Sequence, residues 1–163
     1  MATTTTPATT IRTFGDQTGT GASPLQRLLA KGIDVFVILA CAELLPTLLG
    51  GVIALSYALL ADGIHFKGLK GQSLGKRLLG ITVWSLKGHH YGTYKDSIIR
   101  NLSFGIATFL MLLPVVGWVL FPLIGVPLIA IEIYLLFRVE GNTRLGDVMA
   151  DTVVILEPQE PAP

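Results

Sequence analysis

The sequence is short of charge and nearly free of cysteine. Only 14% of its 163 residues are charged, whereas a soluble domain typically carries about 25%. Hydrophobic residues make up 51% of the chain, so we expect it to lie in a lipid bilayer. Because Cys41 is the single cysteine, the chain has no second thiol for an intrachain disulfide.

The motifs of soluble enzymes are missing as well. The sequence contains no phosphate-binding loop, no paired-cysteine metal site and no nucleophile elbow. We therefore predict that the protein is not an enzyme, with no catalytic residues, no cofactor and no metal. The net charge of +1 gives no reason to expect a nucleic-acid partner.

Both ends of the chain have the composition of disordered tails. Residues 1–24 are rich in Thr, Gly and Ser and lack the apolar core of a signal peptide, and residues 157–163 consist largely of Pro and Glu. The segment between them, 25–156, is predicted to form one membrane domain. We find no internal repeat in it.

Two long apolar blocks predict the fold class. They run from 28 to 64 and from 98 to 137, and each has room for two helices of the roughly 20 residues that span a bilayer. We expect turns at Gly50-Gly51 and near Pro114, which gives an all-α membrane protein built as a four-span bundle of two hairpins. Pro46, one turn before the glycines, is a second position at which the first helix could kink or end. The predicted spans are about 28–49, 51–66, 97–113 and 117–137. The second is short, and whether it crosses fully is left open. Pro122 and Pro127 fall inside the last span, which we expect to be irregular or kinked there.

The basic residues predict the orientation. None of the twelve Lys and Arg residues lies in either hairpin turn. They lie in the N-terminal segment up to Lys31, in residues 67–100, or after Phe137. Under the positive-inside rule, both termini and the central loop are cytoplasmic. We expect a multi-pass protein of the cell inner (plasma) membrane.

The central loop is predicted to have structure of its own. Ser73 is placed to cap a short interfacial helix over 74–79. The β-branched run 81–86 is predicted to pair with 152–156 as a small cytosolic β element. Thr93-x-x-Asp96 has the spacing of a capping box before the third span.

Ionisable residues at membrane depth are the candidate functional residues, because such groups are costly there. With antiparallel spans, three acids and three bases fall near the cytoplasmic end: Asp34, Asp62 and Glu132, with Arg27, Lys31 and Arg100. We expect Arg27 and Lys31 to lie within reach of Asp34 on the first helix. Such a set forms either interhelical salt bridges or part of a cation pathway.

Glu43 is the exception among the acids. It lies nine residues after Asp34 with no basic residue near it in the sequence. We expect it to sit at least halfway across the bilayer, either protonated or lining a wet cavity, which makes it a candidate proton site. The alternative is a neutral, hydrogen-bonded acid within the bundle.

Several motifs resemble those of the RDD family of small integral membrane proteins. They are Arg27-x-x-Ala30-x-x-x-Asp34, a loop motif containing Gly71, Gly75, Lys76, Arg77 and Gly80, then Ile99-Arg100, and finally Leu145-Gly146-Asp147-x-x-Ala150. The arginine and the two aspartates that give the family its name correspond to Arg27, Asp34 and Asp147.

The resemblance implies a multi-span inner-membrane protein, and transport, including sodium/proton exchange, has been suggested for some members. On this basis we expect transport of a monovalent cation or small solute coupled to protons, with Asp34 at the site. Arg27, Arg100 and Asp147 would set its charge environment. A bundle this thin would need a homo-oligomer to form a pathway. The alternative is a non-transporting scaffold or assembly partner whose charges are structural.

Overall fold

The computed structural model describes residues 11–14, 17–65, 70–139 and 143–157. The predicted tail segments 1–10 and 158–163, and the end of the predicted second span, lie outside these residues. The protein is mostly helical with a small two-stranded sheet. Its helices are α1 (Pro24–Leu44), α2 (Thr47–Leu60), α3 (Leu74–Leu78), α4 (Tyr94–Arg100), α5 (Leu102–Leu112), α6 (Val116–Leu120), α7 (Val126–Arg138) and α8 (Leu145–Met149). Its strands are β1 (Ile11–Phe14), β2 (Gln17–Thr20), β3 (Ile81–Ser85) and β4 (Thr152–Leu156).

The first hairpin turns earlier than predicted. Helix α1 begins with a capping box between Ser23 and Gln26 and ends at Leu44, because Pro46 follows and supplies no backbone N–H to continue the helix. Gly50 and Gly51 lie inside α2. The predicted turn at the two glycines, and the span limits 28–49 and 51–66 that depended on it, are therefore wrong.

Gly50 serves helix packing and does not form a turn. A Cβ added there would lie 2.6 Å from the carbonyl oxygen of Cys41, so only glycine lets the two helices approach this closely. Behind this contact Ile38 of α1 packs against Ala54 and Ala58 of α2.

The predicted third span is divided. The Thr93–Asp96 capping box is confirmed at the start of α4, and the helical path breaks at Asn101 before α5 begins. Helix α5 ends at Leu112, close to the predicted turn near Pro114.

The stretch Val116–Arg138 is long and apolar enough to cross a membrane. It has 23 residues and a mean hydropathy of 2.3. Among the described residues it alone meets both criteria, while Thr47–Gly63 and Leu102–Leu112 are apolar but shorter. Length and composition therefore support one span directly.

The irregularity predicted for this stretch is confirmed. A π-helical segment, Phe121–Gly125, joins α6 to α7. Pro122 lies inside it and Pro127 follows in the first turn of α7, and each proline removes a backbone donor.

The predicted strand pairing is also confirmed. β3 and β4 are antiparallel, with Val83 opposite Val154. Ser73 accepts a hydrogen bond from the backbone N–H of Lys76 and caps α3, as predicted. Strands β1 and β2 pair antiparallel with each other, although the sequence placed them in a disordered tail.

The chain has two halves with the same order of local structures. The first half contains α1, α2, α3 and β3, and the second contains α4 to α8 and β4. Before α1, the backbone N–H of Ala22 donates to Val154 of β4; before α4, the N–H of Gly92 donates to Val83 of β3, each at 3.0 Å. A capping box follows in both cases. Each half thus enters its first helix from the strand of the other half.

The ends of the halves match as well. Gly75 of α3 packs against the backbone carbonyl of Ala30, and Gly146 of α8 packs against that of Arg100. In both places an added Cβ would overlap the carbonyl oxygen. Ala30 and Arg100 occupy the same position in their own helices, counted from the N-caps.

Equivalent residues meet across a pseudo-twofold axis. Val83 and Val154 are paired in the sheet. Lys31 and Asn101 each lie eight residues beyond their N-caps, and Lys31 Nζ donates to Asn101 Oδ1 at 2.9 Å. The structure therefore contains a repeat that was not found in the sequence. The halves match in caps, glycines and backbone geometry and share few identical residues.

Candidate functional site

A cluster of buried charge lies where α1, α4 and α8 meet. Arg27 Nη2 hydrogen bonds to Asp147 Oδ2, and Arg100 Nη2 lies 2.8 Å from Asp147 Oδ1. Arg144 Nε lies 3.8 Å from Asp147 Oδ2. All four residues are buried. Asp147 therefore joins three helices through one carboxylate.

The start of α8 positions this carboxylate. Asp147 is the third residue of the helix, and its Oδ2 also accepts from the backbone N–H of Arg144 at 3.2 Å. Burial alone would raise the pKa of Asp147, but the charges of Arg100, Arg27 and Arg144 lower it well below the ordinary value. The group is ionised at any pH near neutrality.

Asp62 forms the second centre of the cluster. It lies in a single 3-10 turn, Ala61–Gly63, that follows α2. Its Oδ2 is 2.5 Å from Lys76 Nζ of α3, accepts from Asn101 Nδ2 at 3.1 Å, and is 3.8 Å from Arg100 Nε. Arg100 thus connects Asp62 with Asp147, and we call the whole set, Arg27, Asp62, Lys76, Arg100, Arg144 and Asp147, the ionic latch.

Lys76 makes the free energy of unfolding of the protein depend on pH. Burial lowers its pKa to about 7, the charge of Arg100 adds to the effect, and Asp62 opposes it. Because the unfolded chain holds this proton up to about pH 10.4, it binds more protons than the folded state between pH 7 and 10. Stability therefore rises with pH in that range.

We expect the melting temperature to increase between pH 6.5 and 9, and Lys76→Met to remove most of this increase, because methionine keeps the length of the side chain without the proton. Thermal unfolding in detergent at a series of pH values measures both. An unchanged slope in Lys76→Met would show that Lys76 is not its source.

Asp34 is held by neutral donors. Its Oδ1 accepts from Tyr57 Oη at 2.8 Å and from the backbone N–H of Gly75 at 2.9 Å. Its Oδ2 accepts from Ser73 Oγ at 2.6 Å. The sequence predicted Arg27 and Lys31 as partners of Asp34. The close contact of Gly75 with α1 instead places the start of α3 against this carboxylate. Asp34 fastens α3 to α1.

Glu132 lies apart from the latch. It is 1% exposed and accepts a hydrogen bond from Ser103 Oγ at 2.9 Å. Within the described part of the chain, no basic side chain pairs with it. Of the ion-pair residues predicted from sequence, the structure thus joins Arg27, Arg100 and Asp147 directly, and it separates Glu132 from them.

Glu43 lies on the surface of the protein, and its depth in the bilayer and its role as a proton site stay predictions. It is exposed in the last turn of α1, because Pro46 ends the hairpin's first helix soon after it and leaves Glu43 at the end of the helix. In the loop motif, Gly71 and Gly80 take left-handed backbone conformations and Arg77 is exposed.

Four residues of the site were not predicted in the roles that the structure gives them. Arg144 was overlooked, Tyr57 and Asn101 have polar groups that bind Asp34 and Asp62, and Lys76 was assigned to the loop motif without a partner. A signal for Arg144 exists. It occupies the N-cap position of α8, as Ser73 does in α3, so the repeat places it next to α4, the first helix of the second half.

Fold and site together define a mostly helical protein with a strongly apolar helix and a buried ionic cluster at one end of its helices. The model of the RDD family matches residues 21–151. The chain belongs to the RDD family, as the motif resemblance predicted. Searches of curated proteins and of solved structures found no match.

Proposed function

We propose that the protein is a four-span inner-membrane protein with both termini in the cytoplasm. Family membership and the apolar stretch Val116–Arg138 support a membrane location. The apolar helices α2 and α5 and the absence of Lys and Arg from both hairpin turns support four spans and this orientation. The latch and the β3–β4 sheet then lie at the cytoplasmic side.

Within this arrangement we propose that the protein is a non-transporting scaffold or assembly partner. The observation that carries the proposal is the engagement of Asp147 by arginines from α1, α4 and its own helix. A buried carboxylate with several cationic partners keeps its charge and its position. Such a group holds helices together, and the positive charges around it disfavour the approach of a transported cation.

The two functions differ in what Asp34→Asn does. The amide nitrogen cannot accept a hydrogen bond, so Ser73 Oγ must change from donor to acceptor or lose its partner, and all three donors lose a charged acceptor. We expect a cost of about 1–3 kcal/mol. A scaffold predicts a lower melting temperature for the variant and no sodium-dependent proton movement in proteoliposomes of either form. Flux in the wild type that disappears in a normally folded Asp34→Asn protein would contradict the scaffold and support a transporter.

Transport of a monovalent cation coupled to protons is the second candidate, and Glu132 favours it. A buried carboxyl group with a hydroxyl as its described partner binds either a proton or a small cation. Because one chain holds one such group between α5 and α7, a pathway would need a homo-oligomer. Proton movement that Glu132→Gln abolishes while the protein stays folded would support this candidate.

A further inference from the structure

A cavity of about 640 Å³ separates α1 from α7. It extends along α1 from Leu28 to Phe36, is lined on the other side by Ile129 and Ile133, and is open along its length. Its lining is apolar except for Lys31. We call this cavity the α1–α7 groove. Its volume is in the range of pockets that take small organic ligands.

The pseudo-twofold axis shows that the groove is not required by the fold. The axis relates the α1–α7 interface to the α5–α2 interface, which is closed: Gly105 of α5 packs so tightly on Leu59 of α2 that a Cβ would overlap that side chain. The position on α1 equivalent to Gly105 is Val35, twelve residues beyond the N-cap. Val35 lines the groove, so one half carries a branched side chain where the other carries none.

Lys31 gives the groove a preferred charge. Its ammonium group donates to Asn101 Oδ1 and lies 4.2 Å from the centre of the Phe104 ring. The ammonium group of a lysine can donate three hydrogen bonds. Among the described residues, Asn101 Oδ1 accepts one from Lys31. The neighbouring latch contains four basic groups and two carboxylates, which also favours a negative charge nearby.

We propose that the α1–α7 groove binds one acyl chain of an anionic phospholipid and that Lys31 contacts its phosphate. This inference rests on the proposed membrane location, but not on the scaffold function. The apolar walls match a hydrocarbon chain, and the cation lies toward the end of α1 that carries the latch. Anionic lipid headgroups meet basic side chains at that surface.

Gly32 allows the groove to be filled without disturbing the fold. It lines the groove, and a Cβ added there meets no atom within 4 Å. Gly32→Leu therefore places a side chain in the space of the acyl chain. Ile131→Phe is the matched control, because Ile131 is half exposed on α7 and does not line the groove.

Native mass spectrometry of the full chain, released from mixed phosphatidylglycerol and phosphatidylethanolamine vesicles, tests the proposal. We expect one phosphatidylglycerol per chain in the wild type and in Ile131→Phe, and at least a fivefold lower occupancy in Gly32→Leu. Lys31→Gln should keep a bound phospholipid and lose the preference for phosphatidylglycerol.

Two outcomes would overturn the proposal. Equal lipid occupancy in the wild type and Gly32→Leu would place the lipid elsewhere, and a dimer that Gly32→Leu dissociates would assign the groove to a second copy of the chain. Failure of the protein to incorporate into vesicles at all would contradict the membrane location, which separates that failure from the failure of the lipid site.

Discussion

Asp147→Asn is expected to cause the largest loss of stability of any single substitution in the described chain. Removing the charge leaves Arg27, Arg100 and Arg144 buried near one another without their shared carboxylate. Removing one partner of a buried ion pair typically costs about 3–5 kcal/mol, because the remaining charge is desolvated and unpaired. We expect the melting temperature in detergent to fall by roughly 10 °C.

Asp151→Asn is the control for this substitution. Asp151 pairs with Lys87 at the surface, where the side chains are 43% and 80% exposed, and an exposed pair contributes about 1 kcal/mol or less. Asp151 has a left-handed backbone conformation, which asparagine tolerates. A melting temperature for Asp147→Asn equal to that of Asp151→Asn would contradict the latch.

Gly75→Ala and Gly146→Ala are expected to have the second largest effects. At each position the new Cβ would overlap a backbone carbonyl oxygen, of Ala30 or Arg100, and a carbonyl within a helix has little freedom to move. The short helices α3 and α8 would be pushed away from α1 and α4, separating Lys76 and Asp147 from their partners. We expect a loss of at least about 2 kcal/mol at each site, measured by thermal unfolding.

Gly32→Ala separates this effect from the removal of a glycine as such. Gly32 lies inside α1 with open space around its Cα, so alanine should stabilise the helix by up to about 1 kcal/mol. If Gly75→Ala and Gly146→Ala behaved like Gly32→Ala, the close contacts between the short helices and the carbonyls would not exist as described.

The sequence predicted local features well. The capping residues Ser73 and Thr93, the pairing of 81–86 with 152–156 and the irregular last helix each depend on residues close in sequence or on β-branched runs. The prediction of a turn at Gly50-Gly51 was wrong because glycine occurs both in turns and in close contacts between helices. The neighbouring residues do not distinguish the two roles. Pro46, four residues earlier, ended the first helix.

The partners in the site could not be derived in the same way. Asp34 and Asp147 are both acids near basic residues of α1, and which one binds Arg27 depends on how α3 and α8 dock on α1 and α4. Those contacts join residues far apart in sequence. The internal repeat was missed because the halves share backbone geometry at Gly80 and Asp151, where the residue types differ.

A double-mutant cycle on Arg27 and Asp147 tests the central claim, that the buried charges hold the helices together. The stability of the wild type, Arg27→Gln, Asp147→Asn and the double variant is measured by thermal unfolding in the same detergent. The latch predicts large losses in both single variants and a double variant that is less destabilised than their sum by about 1–3 kcal/mol. Small, additive losses would contradict the claim, because they would show that Arg27 and Asp147 do not stabilise the fold by interacting with each other.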